Sequence, residues 1–448
     1  MLNVQEAEGR AAALVEAALK AGADAADVLY IGDASTSIQV RLGALEDVGR
    51  SEGEEIGLRL FVGQRSASVS SSDLSADALS ALVERAAAMA REAPEDPYAG
   101  PAPDERLYRG GAPDLEADDG ADPSPTELKA RALAMEEAAR SAAGITNSEG
   151  AGVSTGRNVI ALATSQDFVR GYTTSGYSGG VSVIAGTGSN MQRDHASHNV
   201  RHYEDLDGPE ELGRLAAERA LKRLDPGKLA SGTMPILFDP RIGGSLIGHL
   251  LAAMSGPAAA RRTSFLLGRE EEAIFSDDIA IVDDPHRRRG LRSRPFDGEG
   301  VTTGPSRLID AGRMTGWLLN AASARQLGLD TNGHATRGIG GAPGVGATNV
   351  HLEPGTMSPS ELISDIKRGL YVTELIGQGV NPVTGDYSRG ASGFIIDNGA
   401  LAGPVDEITI AGNLLDIYRN LSAANDLEHR RSVNVPTLRV EGMTVAGA

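Results

Sequence analysis

Three of the eight histidines, His195, His198 and His202, fall in one short run. On a helix, spacings of three and four would set the imidazoles on one face, where they could share a metal. On a strand, which the preceding GGVSVIAG favours, His195 and His198 point to opposite faces and serve as solvated or hydrogen-bonding groups. Gly176–Gly180 reads GYSGG, a formal nucleophile elbow, but it sits amid strand-like residues rather than at a strand-to-helix turn. Residues 338–346 read GIGGAPGVG. Pro343 takes the place of the third glycine of a dinucleotide fingerprint and no helix follows, so this reads as a loop. No histidine is followed by Glu, which removes the HExxH helix with its two imidazoles and adjacent carboxylate base. A further stretch gathers Asn381, Thr384, Gly385, Asp386, Ser388, Gly390, Ser392 and Gly393 on strand-like backbone. Either its open main chain accepts an extended peptide as an extra strand, or it forms a tight glycine-rich hairpin.

The elements that must position these residues come in three blocks. The spacing predicts a helix over 4–21, strands at 27–31, 37–42, 55–61 and 66–71, and a helix over 75–92. Residues 93–125 are dominated by Pro, Gly and Asp and read as a linker or surface excursion. A second set follows: a helix over 126–142, strands near 145–154, 156–165, 168–175, 178–187 and 193–202, and a helix over 208–224. The order helix, strands, helix thus occurs twice, which by itself does not prove a repeat. Beyond Thr233, strand-like runs at 235–238, 280–283, 307–310, 394–398 and 408–410 alternate with glycine-rich turns, and helices are few (243–254, 319–327, 358–367 and 411–422). The class expected is α+β: an N-terminal half of antiparallel sheets flanked by helices, then a mostly β, barrel-like domain with peripheral helices. The expected units are 1–95, an excursion 96–123, 124–230 and 231–448.

Composition narrows the function. The 448 residues hold 42 Lys+Arg against 61 Asp+Glu, a formal charge of −19, which has the wrong sign for binding nucleic acid. The densest basic run, Arg287 to Arg294, follows Asp277, Asp278, Asp283 and Asp284 and reads as a charge-compensated hairpin. Cys is absent, which removes disulfides, thiolate metal sites and any Cys nucleophile. Glu6 and Glu8 stand where a signal peptide would be basic, and no apolar run is long enough to span a membrane, so the expected location is the cytoplasm.

Longer stretches carry a resemblance. GLRLFVGQRSASVSSSDLS (57–75), RPFDGEG (294–300), NGHATRG (332–338), TNVHLEPG (348–355), GVNPVTGDYSRGASGFIIDNG (379–399) and PVDEITIAGNL (404–414) lie in order along nearly the whole chain. In these the chain resembles the TldD/PmbA (modulator of DNA gyrase) family, and within it the PmbA, or TldE, branch. The resemblance implies a cytoplasmic, zinc-dependent TldD–TldE peptidase acting on unfolded peptides. In the TldD branch an HExxxH helix supplies two His ligands and a Glu base, and a later Cys the third ligand. Here the corresponding helix reads IGGSLIGHLLAAMSG, with Gly248 at the first His, His249 at the Glu, and Ala253 or Met254 at the second His. The resemblance therefore implies a subunit without catalytic residues, metal or cofactor of its own, with zinc in an HExxxH-bearing TldD-like partner. Two alternatives stay open. One is a non-catalytic homodimer that holds extended peptides; the other is an active metallopeptidase using His195, His198 and His202. The substrate-binding residues expected are His334, Arg337, Asn381, Asp386, Ser388, Gly390 and Ser392.

Overall fold

The computed structural model describes residues 1–111 and 113–447; Ala112, within the expected excursion, and Ala448 lie outside them. One large sheet dominates the N-terminal half. Helix α1 (Val4–Lys20) leads into strands β1 (Ala25–Arg41), β2 (Ala44–Val62) and β3 (Arg65–Ser71), then helix α2 (Ala76–Glu92). After the excursion come helix α3 (Pro125–Arg140), strands β4 (Ile145–Thr164), β5 (Phe168–Ala185) and β6 (Gln192–Val200), and helix α4 (Pro209–Lys222). The strand order is β3-β2-β1-β4-β5-β6, so the two helix–strands–helix units share one antiparallel sheet joined where β1 pairs with β4. The N-terminal and middle units expected from sequence thus form one layer.

The strands are longer than their sequence suggests. Residues 27–31 and 37–42 belong to one strand, as do 145–154 with 156–165, and 168–175 with most of 178–187. Gly156 and Gly176 look like breaks, yet they pair directly across β4 and β5. Pairing with neighbouring strands keeps such glycines extended, because the ladder supplies what the missing side chain does not.

Alternation of side chains decides which layer covers which face. Val28, Tyr30, Ile38 and Val40 of β1 are buried with the helices: α1 and α2 over one half of the sheet, α3 and α4 over the other. Leu29 and Leu162 point the other way, onto Phe296, Val301 and Ala321 of the C-terminal half. The excursion is a strap across this junction rather than a free linker. Leu107 bridges to Val301, Tyr108 N donates to Gly300 O, and Arg289 N donates to Leu115 O. Arg325 in turn binds the carbonyls of Tyr98, Gly100 and Pro101.

In the C-terminal half, strand β7 (Gly232–Phe238) runs parallel to Arg368–Ile376 and antiparallel to Leu438–Ala446. Asp386–Asp397 and Ala400–Asn413 continue the sheet, and Thr409–Ala411 pair with Thr444–Ala446, which closes it into a barrel. Helix α5 (Pro240–Ala253) buries Leu246, Ile247 and Leu250 in the core shared with this barrel. The helix expected over 358–367 spans only Pro359–Ile363, and that over 411–422 only Leu414–Arg419, its first residues being the end of a strand.

A buried charge network joins the two halves. Asp27 and Arg59 are cross-strand partners on the face of the sheet that meets the C-terminal half. Arg59 Nε donates to Asp27 at 2.8 Å, Arg59 Nη2 lies 3.5 Å from Glu299, and Arg337 donates to the other oxygen of Asp27. Burial alone would raise the Asp27 carboxyl, but the Arg337 and Arg59 guanidiniums hold it below the usual carboxylate range. Glu299 also accepts from Ala321 N at 2.8 Å. Nearby, Gly57 of β2 lies so close to the Ile339 carbonyl that a Cβ there would collide with it.

Removing one partner of a buried pair strands the other charge, so Arg337→Met should lower stability by about 3–5 kcal/mol, read from urea unfolding. With Asp27→Asn added, the loss should fall short of the sum of the single losses; strict additivity would show that the two groups do not interact. Gly57→Val should expel the 338–346 loop and expose the Arg337–Gly338 bond to trypsin. An unchanged digestion pattern would count against this packing.

Candidate functional site

Helix α5 carries the positions that the sequence resemblance assigns to the zinc ligands of the TldD branch. Asp239 caps it, accepting from Arg241 N, and the helix runs to Ala253, with Met254 as its C-cap. Gly248 is exposed and a Cβ built on it would meet open space. Ala253 and Met254 are buried in the apolar core. Only His249 offers a metal-ligating atom at these positions. Its ring packs edge-on to Tyr387, centroids 6.1 Å apart, with Nε2 buried and lacking a hydrogen-bond partner among the described residues. Burial and the nearby Arg389 guanidinium push its pKa down. Burial pushes the Tyr387 hydroxyl up to about 12. One imidazole, a glycine and two apolar side chains, in a chain without Cys, do not make a zinc donor set. Among the described residues, no group of three or more His, Asp or Glu is placed to hold a metal.

The histidine run does not converge. His195 and His198 lie on β6 and face opposite ways, His195 mostly exposed and His198 3.0 Å from Asp207. His202, beyond the strand, places Nε2 2.9 Å from the Glu116 carbonyl. The strand reading holds, and the three imidazoles serve three separate surroundings. GYSGG lies within β5, paired with β4 throughout and with β6 from Tyr177 on, with no elbow.

The segment from Asn381 to Ser392 takes the tight-hairpin form. Asn381 Oδ1 accepts from Val383 N and Thr384 N; Asp386 accepts from Thr384 Oγ1 at 2.6 Å and Asn413 Nδ2 at 3.2 Å. Ser388, Gly390 and Ser392 lie on Asp386–Asp397, a strand paired along both edges. Addition of a peptide strand there is therefore ruled out, because the main-chain groups it would need are already bonded. His334 and Arg337 do not join this segment. His334 Nδ1 lies 2.9 Å from Asn332 Oδ1 and Nε2 3.4 Å from Asp283. Arg337 is buried against Asp27, so it anchors the two halves rather than a substrate carboxylate.

The structure instead opens a trough that sequence reading missed. Over the half of the sheet that the C-terminal half leaves bare, Ser37, Gln39, Ser154, Ser178, Ser182 and His195 line a depression of about 630 Å³. At His195 and Ser197 it meets a cleft of about 400 Å³ between α4, the start of α5 and residues 426–435. The alternation of small polar residues on β1, β4 and β5 is a signal present in the sequence; what hid it was the splitting of each long strand in two. The basic run was misread in part. Arg288 pairs with Glu116, and Arg289 with Glu116, Glu204 and Asp205, not with the preceding aspartates.

Comparison with known proteins agrees with this architecture. Family models described as PmbA/TldA metallopeptidase domain 1, central domain and C-terminal domain match residues 26–90, 118–224 and 231–447. The chain is 37% identical to the metalloprotease PmbA of Escherichia coli O157:H7, over 95% of this chain and 92% of that protein. It is 35% identical to the metalloprotease PmbA homolog of Haemophilus influenzae, over 100% and 98%. A crystal structure of a putative modulator of DNA gyrase from Bacteroides thetaiotaomicron superposes with a TM-score of 0.92 at 27% identity, covering 100% of both chains. TldE from Thermococcus kodakarensis, at 22% identity and a TM-score of 0.87 over 97% of this chain and 99% of that one, shares the fold. The chain belongs to the PmbA/TldA metallopeptidase family, the one its sequence motifs resemble, and to its PmbA/TldE side.

Proposed function

We propose that this chain is the TldE-type subunit of a two-component zinc metallopeptidase acting on unfolded peptides. It pairs with an HExxxH-bearing TldD-like chain that holds the zinc. What supports the reading is helix α5, where Gly248, His249, Ala253 and Met254 stand at the positions the resemblance gives to the donor set and do not make one. A subunit so altered contributes walls rather than chemistry. The bare half of the sheet suits that role. Ser and Gly side chains leave room for an extended backbone, and hydroxyls can hydrogen-bond its amides without demanding a particular sequence. No helix among the described residues is long and apolar enough to cross a membrane. The E. coli and H. influenzae relatives carry the name metalloprotease. That name describes the pair if the zinc comes from the partner.

The purified chain alone should contain no stoichiometric zinc and hydrolyse no peptide. One tightly bound zinc per chain with EDTA-sensitive hydrolysis would refute the reading. The His195→Ala/His198→Ala/His202→Ala variant should match the parent in metal content by elemental analysis. A drop in bound metal would instead restore the histidine run as a site.

A further inference from the structure

Beyond the trough, the polar cleft continues at Asn199, Arg430 and Arg431 into a recess of about 270 Å³. This recess is lined by six arginines against one carboxylate, Asp205, in a protein of net charge −19. Three of the arginines are neutralised: Arg288 and Arg289 by the acidic groups named above, and Arg430 by Asp207. Arg201 is held by carbonyls only, its Nη1 donating to Ser175 O at 2.7 Å and its Nη2 to Leu291 O. It fixes the recess wall and brings an unneutralised charge with it.

The other two, half-buried Arg287 and exposed Arg431, differ from all of these. Among the described residues neither guanidinium makes an ion pair or a side-chain hydrogen bond. They come from separate segments, 287–291 and 429–431, and line the same recess. Neighbouring groups attract these arginines without pairing them; Asp239 attracts Arg431, yet the two form no ion pair. His429 is pushed down to about 4 by burial and by Arg287, so it is neutral near pH 7. Asp284 attracts Arg287, yet the two form no ion pair. A guanidinium is a planar fork suited to a carboxylate, and two unpaired ones line this single recess. A long polyanion such as nucleic acid fits poorly, because Glu211, Asp239, Asp426 and Glu428 line the approach.

We propose that this recess binds a carboxylate of a peptide lying in the trough, with Arg287 and Arg431 as its partners. The inference rests on the peptide-handling reading for the nature of the ligand, and it adds a preference for acidic or free-ended peptides.

The test uses the full-length chain and fluorescence anisotropy with labelled unfolded peptides. One carries two Glu near a free C-terminus, one is the same peptide amidated, and one is amidated with Gln in place of Glu. The acidic free peptide should bind at least tenfold more tightly than the neutral amidated one. The amidated acidic peptide tells whether the terminal or a side-chain carboxylate is held. Arg287→Gln/Arg431→Gln should remove the tenfold preference with an unchanged unfolding midpoint. Arg85→Gln/Lys129→Gln, an equal loss of charge at exposed helical positions, should keep it. Absent binding, equal binding of acidic and neutral peptides, or full preference in the Arg287/Arg431 variant would each overturn the proposal. None of these results bears on where the zinc resides, so the subunit reading stands or falls separately.

Discussion

Two carboxylates and two guanidiniums, Asp27, Glu299, Arg59 and Arg337, meet where the large sheet touches the C-terminal half. Each is almost wholly buried, so each depends on the others for the solvation it has lost. Asp27 and Arg59 come from the first two strands, whereas Glu299 and Arg337 come from loops more than two hundred residues later. The halves must therefore dock in one register for any of the four to be paired. Such a network adds little net stability over an apolar interface, but it penalises misplacement heavily. Gly57 against the Ile339 carbonyl enforces the same register sterically. The cleft beside the trough and the arginine recess are each lined from both halves, so their shape follows from this register.

Class and most elements were readable because hydrophobic periodicity is local. The helices over 4–21, 75–92, 126–142 and 208–224 appear within a residue or two of their expected ends, with Asn3, Ser75 and Ser124 as caps. The long strands were not readable as single elements, because Gly156 and Gly176 signal turns to any local rule and are overruled only by pairing with neighbouring strands, Gly156 on both sides and Gly176 on one. The excursion over 93–125 looked free because its buried apolar residues Ala102, Leu107 and Leu115 show no period; Ala102 and Leu107 pack with residues of distant segments.

The site was legible in a different measure. The positions that the resemblance gives to the zinc ligands could be placed one by one, since they fall within one helix. The peptide-binding residues could not. Arg337 looked like a free fork suited to a substrate carboxylate, and nothing within NGHATRG announces that Asp27, three hundred residues earlier, already occupies it. Asp386, Ser388 and Ser392 looked available because open main chain and paired main chain have the same sequence. Arg287 stays unpaired although Asp283 stands four residues before it, because Asp283 accepts from Thr348 instead.

The account places the chemistry of this family outside this chain while keeping the chain necessary to the shape of the site. Native mass spectrometry of the chain co-expressed with an HExxxH-bearing paralogue addresses that division directly. The account predicts a complex with one copy of each chain and a single zinc ion. Two zinc ions per pair, or a zinc-loaded homodimer of this chain, would contradict it.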